Sequence, residues 1–314
     1  MNAKTDHIGF IGVGLMGHGI AKNILAAGYQ ISILAHTNRI PVEDLITRGA
    51  REATSLKDLA SMSSIIHICA PGSPEVETII QNLMPHLKSG TIIIDCSTSD
   101  PKSTIRLAAD LEAQGFHMAD APLGGTPVQA ESGELSTMIG ASELVFNKIK
   151  PVVASWAGSI VHMGQNGAGH KMKLLNNFLS LGYAALYSEA LALSEKVGIT
   201  TPQFDSVIRG SRMDCGFYQT FMGYAVEGNR DAHKFTLTNA LKDTRYLGAM
   251  ADEVNLANPI GNAVKNSFAL AHAAGGNGPE DYVPHLTDFI MKFNMLTNCF
   301  LKRLKRYKCI NFIK

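Results

Sequence analysis

The chain has 314 residues, 46% of them hydrophobic, and a formal net charge of +1. That length allows two domains with a substantial core, and the charge leaves no whole-protein field to mark it for nucleic acid or acidic lipid. The five cysteines (Cys69, Cys96, Cys215, Cys299, Cys309) are scattered and contain no C-x-x-C pair, which argues against a zinc or redox motif and points to a reducing cytoplasm.

His7–Ile11 reads as a first strand, followed by a helix from Leu15 to Ala27 that stops at Gly28, and by a strand over Tyr29–Leu34. Further strands are expected at Ile65–Ala70, Thr91–Asp95 and Phe116–Ala119, with weaker ones at Ser136–Ile139 and Ile160–Met163 around a helix near Glu143–Ala154. Such alternation builds βαβ units, so residues 1–164 are expected to form an α/β domain with a doubly wound parallel sheet. Past Gly167 the β-branched runs vanish. A long helix from His170 to Val197 opens an all-α domain over residues 165–295, followed by a basic tail, 296–314. The apolar stretch Leu174–Leu193 contains Asn176, Asn177 and Glu189, so it predicts a buried helix in water, not a lipid-spanning one. The run from Phe300 to Lys308 could suit an anionic surface, but a solvated terminus is the commoner outcome, and no membrane or nucleic-acid partner is expected.

Gly12-x-Gly14-x-x-Gly17 follows a strand and opens a helix, the context in which this spacing marks a dinucleotide site. Gly12 serves the tight turn, Gly14 the approach of a pyrophosphate and Gly17 the packing of helix on strand. The N–H groups of the helix start, around Leu15 and Met16, face the negative charge. A carboxylate for the ribose 2′-hydroxyl is expected at the end of the second strand in an NAD site, yet the residues there are Ala35, His36, Thr37, Asn38 and Arg39. Arg39 with His36 and Thr37 could meet a 2′-phosphate, which leans the cofactor towards NADP over NAD; a solvated loop arginine is the other reading. No histidine spacing suits a metal, and none is expected.

Four stretches resemble the β-hydroxyacid dehydrogenase family, which includes 3-hydroxyisobutyrate dehydrogenase and related aldehyde reductases. They are Gly9-Phe-Ile-Gly-Val-Gly-Leu-Met-Gly17, Asp95-Cys-Ser-Thr98, Asp120-Ala-Pro-Leu-Gly-Gly125 and Gly167-Ala-Gly-His-Lys-Met-Lys-Leu-Leu-Asn-Asn177. A fifth, Lys242-Asp243 after Phe235, also fits. The resemblance implies a Rossmann domain followed by a helical one, association into a homodimer or homotetramer through the latter, and a small hydroxyacid or semialdehyde bound in the cleft between domains. It implies Lys173 as the catalytic lysine. Asn177 lies four residues further on the same helix face, whereas Lys171 points elsewhere. Oxidising an alcohol needs a group that takes the hydroxyl proton as hydride leaves. A lysine serves if burial and the positive nicotinamide disfavour its ammonium form.

Asn177 would hold substrate or lysine, or else tie two helices together. Gly124 and Gly125 would offer backbone N–H groups to the substrate carboxylate, although many family members carry serine where Gly124 stands, and some carry arginine at Gly125. Thr98, Pro71 and Lys242 resemble cofactor contacts; capping of the helix at Pro101, a strand stop and a solvated charge are their plainer readings. The rival from another class is a non-catalytic dinucleotide-binding protein, which would need no lysine at 173. A sugar-phosphate dehydrogenase ranks third, because no cationic cluster stands near Gly124.

Overall fold

The computed structural model describes residues 6–295, so the tail expected at 296–314 lies outside the described residues. The first half runs β1 (His7–Ile11), α1 (Gly17–Ala26), β2 (Gln30–Leu34), α2 (Ile40–Thr47), β3 (Arg51–Ala53), α3 (Leu56–Met62), β4 (Ile65–Ile68), α4 (Ser73–Leu83), β5 (Ile92–Asp95), α5 (Pro101–Glu112) and β6 (His117–Asp120). It continues with β7 (Leu123–Gly124), α6 (Pro127–Ser132), β8 (Leu135–Gly140), α7 (Glu143–Val153) and β9 (Ala157–Gly164). The helical half comprises α8 (Ala168–Lys196), α9 (Thr201–Ile208), α10 (Gly216–Ala225), α11 (Leu237–Glu253), α12 (Pro259–Ala273) and α13 (Leu286–Phe293).

The sheet has the order β3-β2-β1-β4-β5-β6-β8-β7, with β9 beside β8. β1 to β6 are parallel, in register from His7 opposite Gln30 to Asp95 opposite Asp120. β8 runs antiparallel to β6 and β7 and parallel to β9. The fold is therefore the expected Rossmann sheet followed by helices.

Strand side chains alternate between two faces, and here both are buried. Ile8, Phe10, Ile31, Ile33 and Ile94 join one apolar cluster, while Ile11, Ile66, Ile68, Ile93 and Met118 join another. Fully burying side chains of this size contributes roughly 1.5–3 kcal/mol each, so a sheet covered on both sides by helices is the stable outcome for isoleucine-rich strands. Because β1 sits between β2 and β4, the chain reverses its winding there, and a crevice opens beyond the carboxyl ends of these strands.

The helical half has its own core, built on Tyr218, Phe221, Met222, Leu237, Phe268 and Leu286. The chain divides into two compact units at Leu175/Asn176, inside α8, whereas the sequence places the domain end at Gly164. The first turns of α8 are hydrogen-bonded into the sheet, as described below. The stretch Leu174–Leu193 is buried on one face only. Leu175, Leu179, Leu186 and Leu193 are 46–64% exposed. No helix among the described residues is long and apolar enough to cross a membrane.

Candidate active site

The three glycines after β1 are there for different physical reasons. Gly12 has φ 97°, and a Cβ on it would lie 2.1 Å from the Cys69 carbonyl oxygen. A Cβ on Gly17 would lie 2.0 Å from the Gly12 oxygen and 3.0 Å from the Phe10 ring. Around a Cβ on Gly14 there is open space for 4 Å. The first turn of α1 carries no acidic side chain, and Met16 at its N-cap supplies no side-chain hydrogen bond. The helix start thus presents N–H groups and positive partial charge to that space. Leu15 is exposed and Met16 half-buried beside it. These residues fit a pyrophosphate.

The same helix end is braced from behind. The His18 ring nitrogens meet Asp44 of α2 at 2.8 Å and Glu131 of α6 at 2.6 Å, and Lys22 pairs with Glu131. The Arg48 guanidinium, with His18, draws the Asp44 carboxyl down to about 2. Beyond β2, His36 and Thr37 are exposed, and the Arg39 guanidinium grips both oxygens of Glu52 at 2.6 and 3.0 Å. Arg39 is therefore not a bare cation, although its side chain is 47% exposed.

Pro71 is exposed just past β4. The Ser97 hydroxyl accepts the Ala70 N–H at 2.9 Å, which ties the loops after β4 and β5 together, and half-buried Thr98 follows. Neither Ser97 nor Thr98 caps the next helix. Asp100 does so, accepting the Lys102 N–H at 3.0 Å, which corrects the capping reading. Gly124 lies half-buried in β7 opposite Ser136, whose Oγ would stand 2.3 Å from a Cβ on Gly124. Gly125 is exposed with φ 122°.

Lys173 is half-buried near the start of α8, while Lys171 is exposed. The turn before it is fixed by residues that sequence reasoning missed. Asp120 Oδ1 accepts the Gly167 N–H at 2.7 Å, and Oδ2 accepts the His170 N–H at 2.9 Å. His170 is fully buried; its Nε2 donates to the Ser97 carbonyl at 3.1 Å and its Nδ1 pairs with the Thr104 hydroxyl at 2.8 Å. Burial pushes the Asp120 carboxyl up, against the opposing pull of His170 and the two N–H donors. A carboxylate ending a buried apolar strand is the signal that would have found Asp120.

In the helical unit, Asn177 is buried and its Nδ2 donates to Asp243 Oδ2 at 2.6 Å. A carboxylate only accepts, so this bond turns the amide nitrogen towards Asp243 and the Asn177 oxygen away from it. Lys242 forms an ion pair with Asp243 Oδ1 at 3.0 Å and stands 5.1 Å from the Tyr246 ring centre. Among the described residues no group of three His, Cys, Asp or Glu side chains is placed to hold a metal.

Both halves of the chain match families of known proteins. Residues 7–164 match the NAD binding domain of 6-phosphogluconate dehydrogenase, and residues 167–284 match the NAD-binding family of NADP-dependent 3-hydroxyisobutyrate dehydrogenase. The chain is 35% identical over 210 residues to 2-(hydroxymethyl)glutarate dehydrogenase of Eubacterium barkeri, covering 65% of this chain and 69% of that one. It is 28% identical over 278 residues to 3-sulfolactaldehyde reductase of Escherichia coli K12, covering 88% and 93%. The crystal structure of 3-hydroxyisobutyrate dehydrogenase from Salmonella typhimurium superposes with a TM-score of 0.80 at 24% identity, over 90% of this chain and 99% of that one. With both halves matched in order, and the glycine turn and Lys173 motif in place, the chain belongs to the β-hydroxyacid dehydrogenase family of NAD(P)-dependent oxidoreductases.

Proposed function

We propose that the chain moves a hydride between NADP(H) or NAD(H) and a small β-hydroxyacid or its semialdehyde, with Lys173 as general acid/base. The observation that carries this reading is the placement of a half-buried lysine and a buried asparagine one turn apart along α8, the amide nitrogen turned towards Asp243 and its oxygen away from it. A nicotinamide held there would supply the hydride acceptor for the carbinol carbon, or the hydride donor in reduction. Lys173 Nζ takes the hydroxyl proton as that C–H bond breaks, and in reduction it gives a proton to the carbonyl oxygen. Asn177 Oδ1 holds the hydroxyl or the ammonium by accepting a hydrogen bond. Backbone N–H groups at Gly124 and Gly125 take the substrate carboxylate without any charged side chain. Gly12, Gly14, Leu15, Met16 and Gly17 cradle the pyrophosphate, and Pro71, Thr98 and Lys242 serve the cofactor's other contacts.

The lean to NADP rests on Arg39 and His36 beyond β2 and on the lack of a carboxylate among residues 35–38. A 2′-phosphate would compete with Glu52 for the guanidinium. Self-association into a dimer or tetramer is supported by the stripe Leu179, Leu186 and Leu193 on α8, three exposed leucines at helical spacing. The free cysteines Cys69, Cys96 and Cys215 suit a reducing cytoplasm.

The test is an absorbance screen at the reduced-nicotinamide band with both cofactors against 3-hydroxyisobutyrate, 2-(hydroxymethyl)glutarate and 3-sulfolactaldehyde, with Lys173→Ala alongside. Turnover of one of them, lost by at least a hundredfold in the variant, is expected from the scale of general acid–base catalysis, about 10²–10⁴-fold. A variant at full rate refutes the role of Lys173.

A further inference from the structure

We propose that Asp120 is the positioning residue for Lys173, fixing the amine through the first turn of α8; the catalytic meaning of this rests on the proposed function, but the placement itself does not. A helix leaves its first N–H groups without intrahelical partners. In α8 one carboxylate, delivered from the end of β6, takes two of them. Asp120 Oδ1 accepts from Gly167 and Oδ2 from His170. Lys171 N–H then makes the first intrahelical bond, to the Gly167 carbonyl at 2.9 Å. Lys173 follows three residues after His170, a rise of about 4.5 Å. Over so short a stretch the helix backbone is stiff, so the angle set at the anchored turn is handed directly to the lysine.

The anchor admits no slack. A Cβ on Gly140 would lie 2.5 Å from Asp120 Oδ1, and one on Gly169 would lie 2.2 Å from the Met138 carbonyl oxygen and 2.9 Å from Asp120 Oδ2. The glycine before Lys173 in the motif therefore lets the helix end sit against the sheet and its carboxylate. A second clamp comes from the side chain of His170, held between the Ser97 carbonyl and the Thr104 hydroxyl, with Asp95 Oδ2 3.8 Å from its Nε2. The helix start is thus tied to the carboxyl ends of β5 and β6, the edge of the sheet on which the glycine turn also lies. Misplacing a reacting group by about 1 Å costs on the order of a hundredfold in rate, which gives a reason for so much polar machinery at the start of this helix.

Two substitutions test this. Asp120→Asn keeps one acceptor and turns the other into a donor facing the His170 N–H. Thr104→Val removes the partner of His170 Nδ1 with little change in shape. Trace acetylation with acetic anhydride, read by mass spectrometry as the ratio of Lys173 to Lys171 modification, reports the setting of the amine without any substrate, with Lys171 as the exposed control on the same helix. The ratio is expected to rise at least threefold in both variants, at a temperature where thermal melts show each fully folded. A wild-type ratio in both folded variants, with only the melting temperature lowered, makes Asp120 a stability residue and overturns the proposal. Should Asp120→Asn not fold, Thr104→Val alone decides by the same ratio. Loss of the catalytic role of Lys173 in the turnover assay would leave this readout standing, so the two failures are separable.

Discussion

Replacing Gly14 by alanine separates folding from cofactor binding. The new methyl meets no atom within 4 Å, and Gly14 has no positive φ. The folded state therefore accepts it, and the loss of unfolded-state freedom stabilises the chain by about 0.4–1 kcal/mol. A bound pyrophosphate would meet that methyl where it now approaches the backbone. Losing one hydrogen bond to a charged group costs about 1.5–3 kcal/mol, which raises the dissociation constant roughly tenfold to a hundredfold. Gly17→Ala should do the reverse: its Cβ would stand 2.0 Å from the Gly12 carbonyl, a backbone atom that cannot step aside, and overpacking of this kind costs about 1–3 kcal/mol of stability. Urea unfolding and fluorescence titration with NADPH and NADH measure both quantities. If Gly14→Ala binds both cofactors within twofold of wild type, the glycine turn does not face the pyrophosphate and the placement of the cofactor is wrong.

His67 lies fully buried on β4, stacked on Phe10 at 5.6 Å, with neither ring nitrogen hydrogen-bonded, and burial pulls it from 6.5 down to about 3. Between those values the unfolded chain binds the extra proton, so stability is fully present above pH 6.5 and is lost as pH falls. At pH 5 the loss is about 2 kcal/mol. Urea midpoints at pH 7 and 5 should show His67→Phe to be less acid-sensitive than wild type by that amount; equal sensitivity would mean that His67 is protonated in the folded chain or reached by water. Glu52→Gln removes the nearer of the two carboxylates beside Arg39, leaving Glu43 at 3.8 Å, and an exposed pair of this kind is worth up to about 1 kcal/mol. The ratio of NADPH to NADH affinity should therefore rise roughly two- to fivefold, and an unchanged ratio places the 2′-phosphate elsewhere. Leu186→Glu on the exposed face of α8 should lower the molecular mass seen by sedimentation; a wild-type mass would move the subunit contact off that helix.

What the sequence made legible was whatever local physics decides. Isoleucine-rich runs such as Ile65–Ile68 and Ile92–Asp95 form strands because nothing else buries them, and the glycine turn after β1 is written in adjacent residues. β3 and β7 were not legible. Arg51-Glu-Ala53 has no strand pattern of its own and pairs only because β2 offers an edge, and β7 is two residues held against β8. The antiparallel direction of β8 is likewise a matter of which neighbour it meets. In the candidate site, Lys173 and Asn177 came from the resemblance of Gly167–Asn177 to the family's motif, and spacing put the two on one helix face. The anchoring role of Asp120 was not legible, since its partners lie 47 and 50 residues away; a carboxylate closing an apolar strand is a local trace, but it does not say what the carboxylate holds.

The same limit applies to the leucine-rich helix α8. Its residues divide into two stripes at helical spacing: His170, Leu174, Asn177, Leu181, Ala184 and Ser188 are buried, while Leu175, Leu179, Leu186 and Leu193 are exposed. Leucines stand in both stripes, so the sequence cannot say which side the chain itself covers. The covered stripe begins with the anchored His170 and includes Asn177, with Lys173 between them at its border, half-buried. The open stripe, in which burying each leucine is worth roughly 1.5–3 kcal/mol, is left uncovered by the described residues. A helix with one face spent on its own site and another on a second copy would be covered all round only in the oligomer, so weakening the subunit contact should also loosen the helix that carries the lysine.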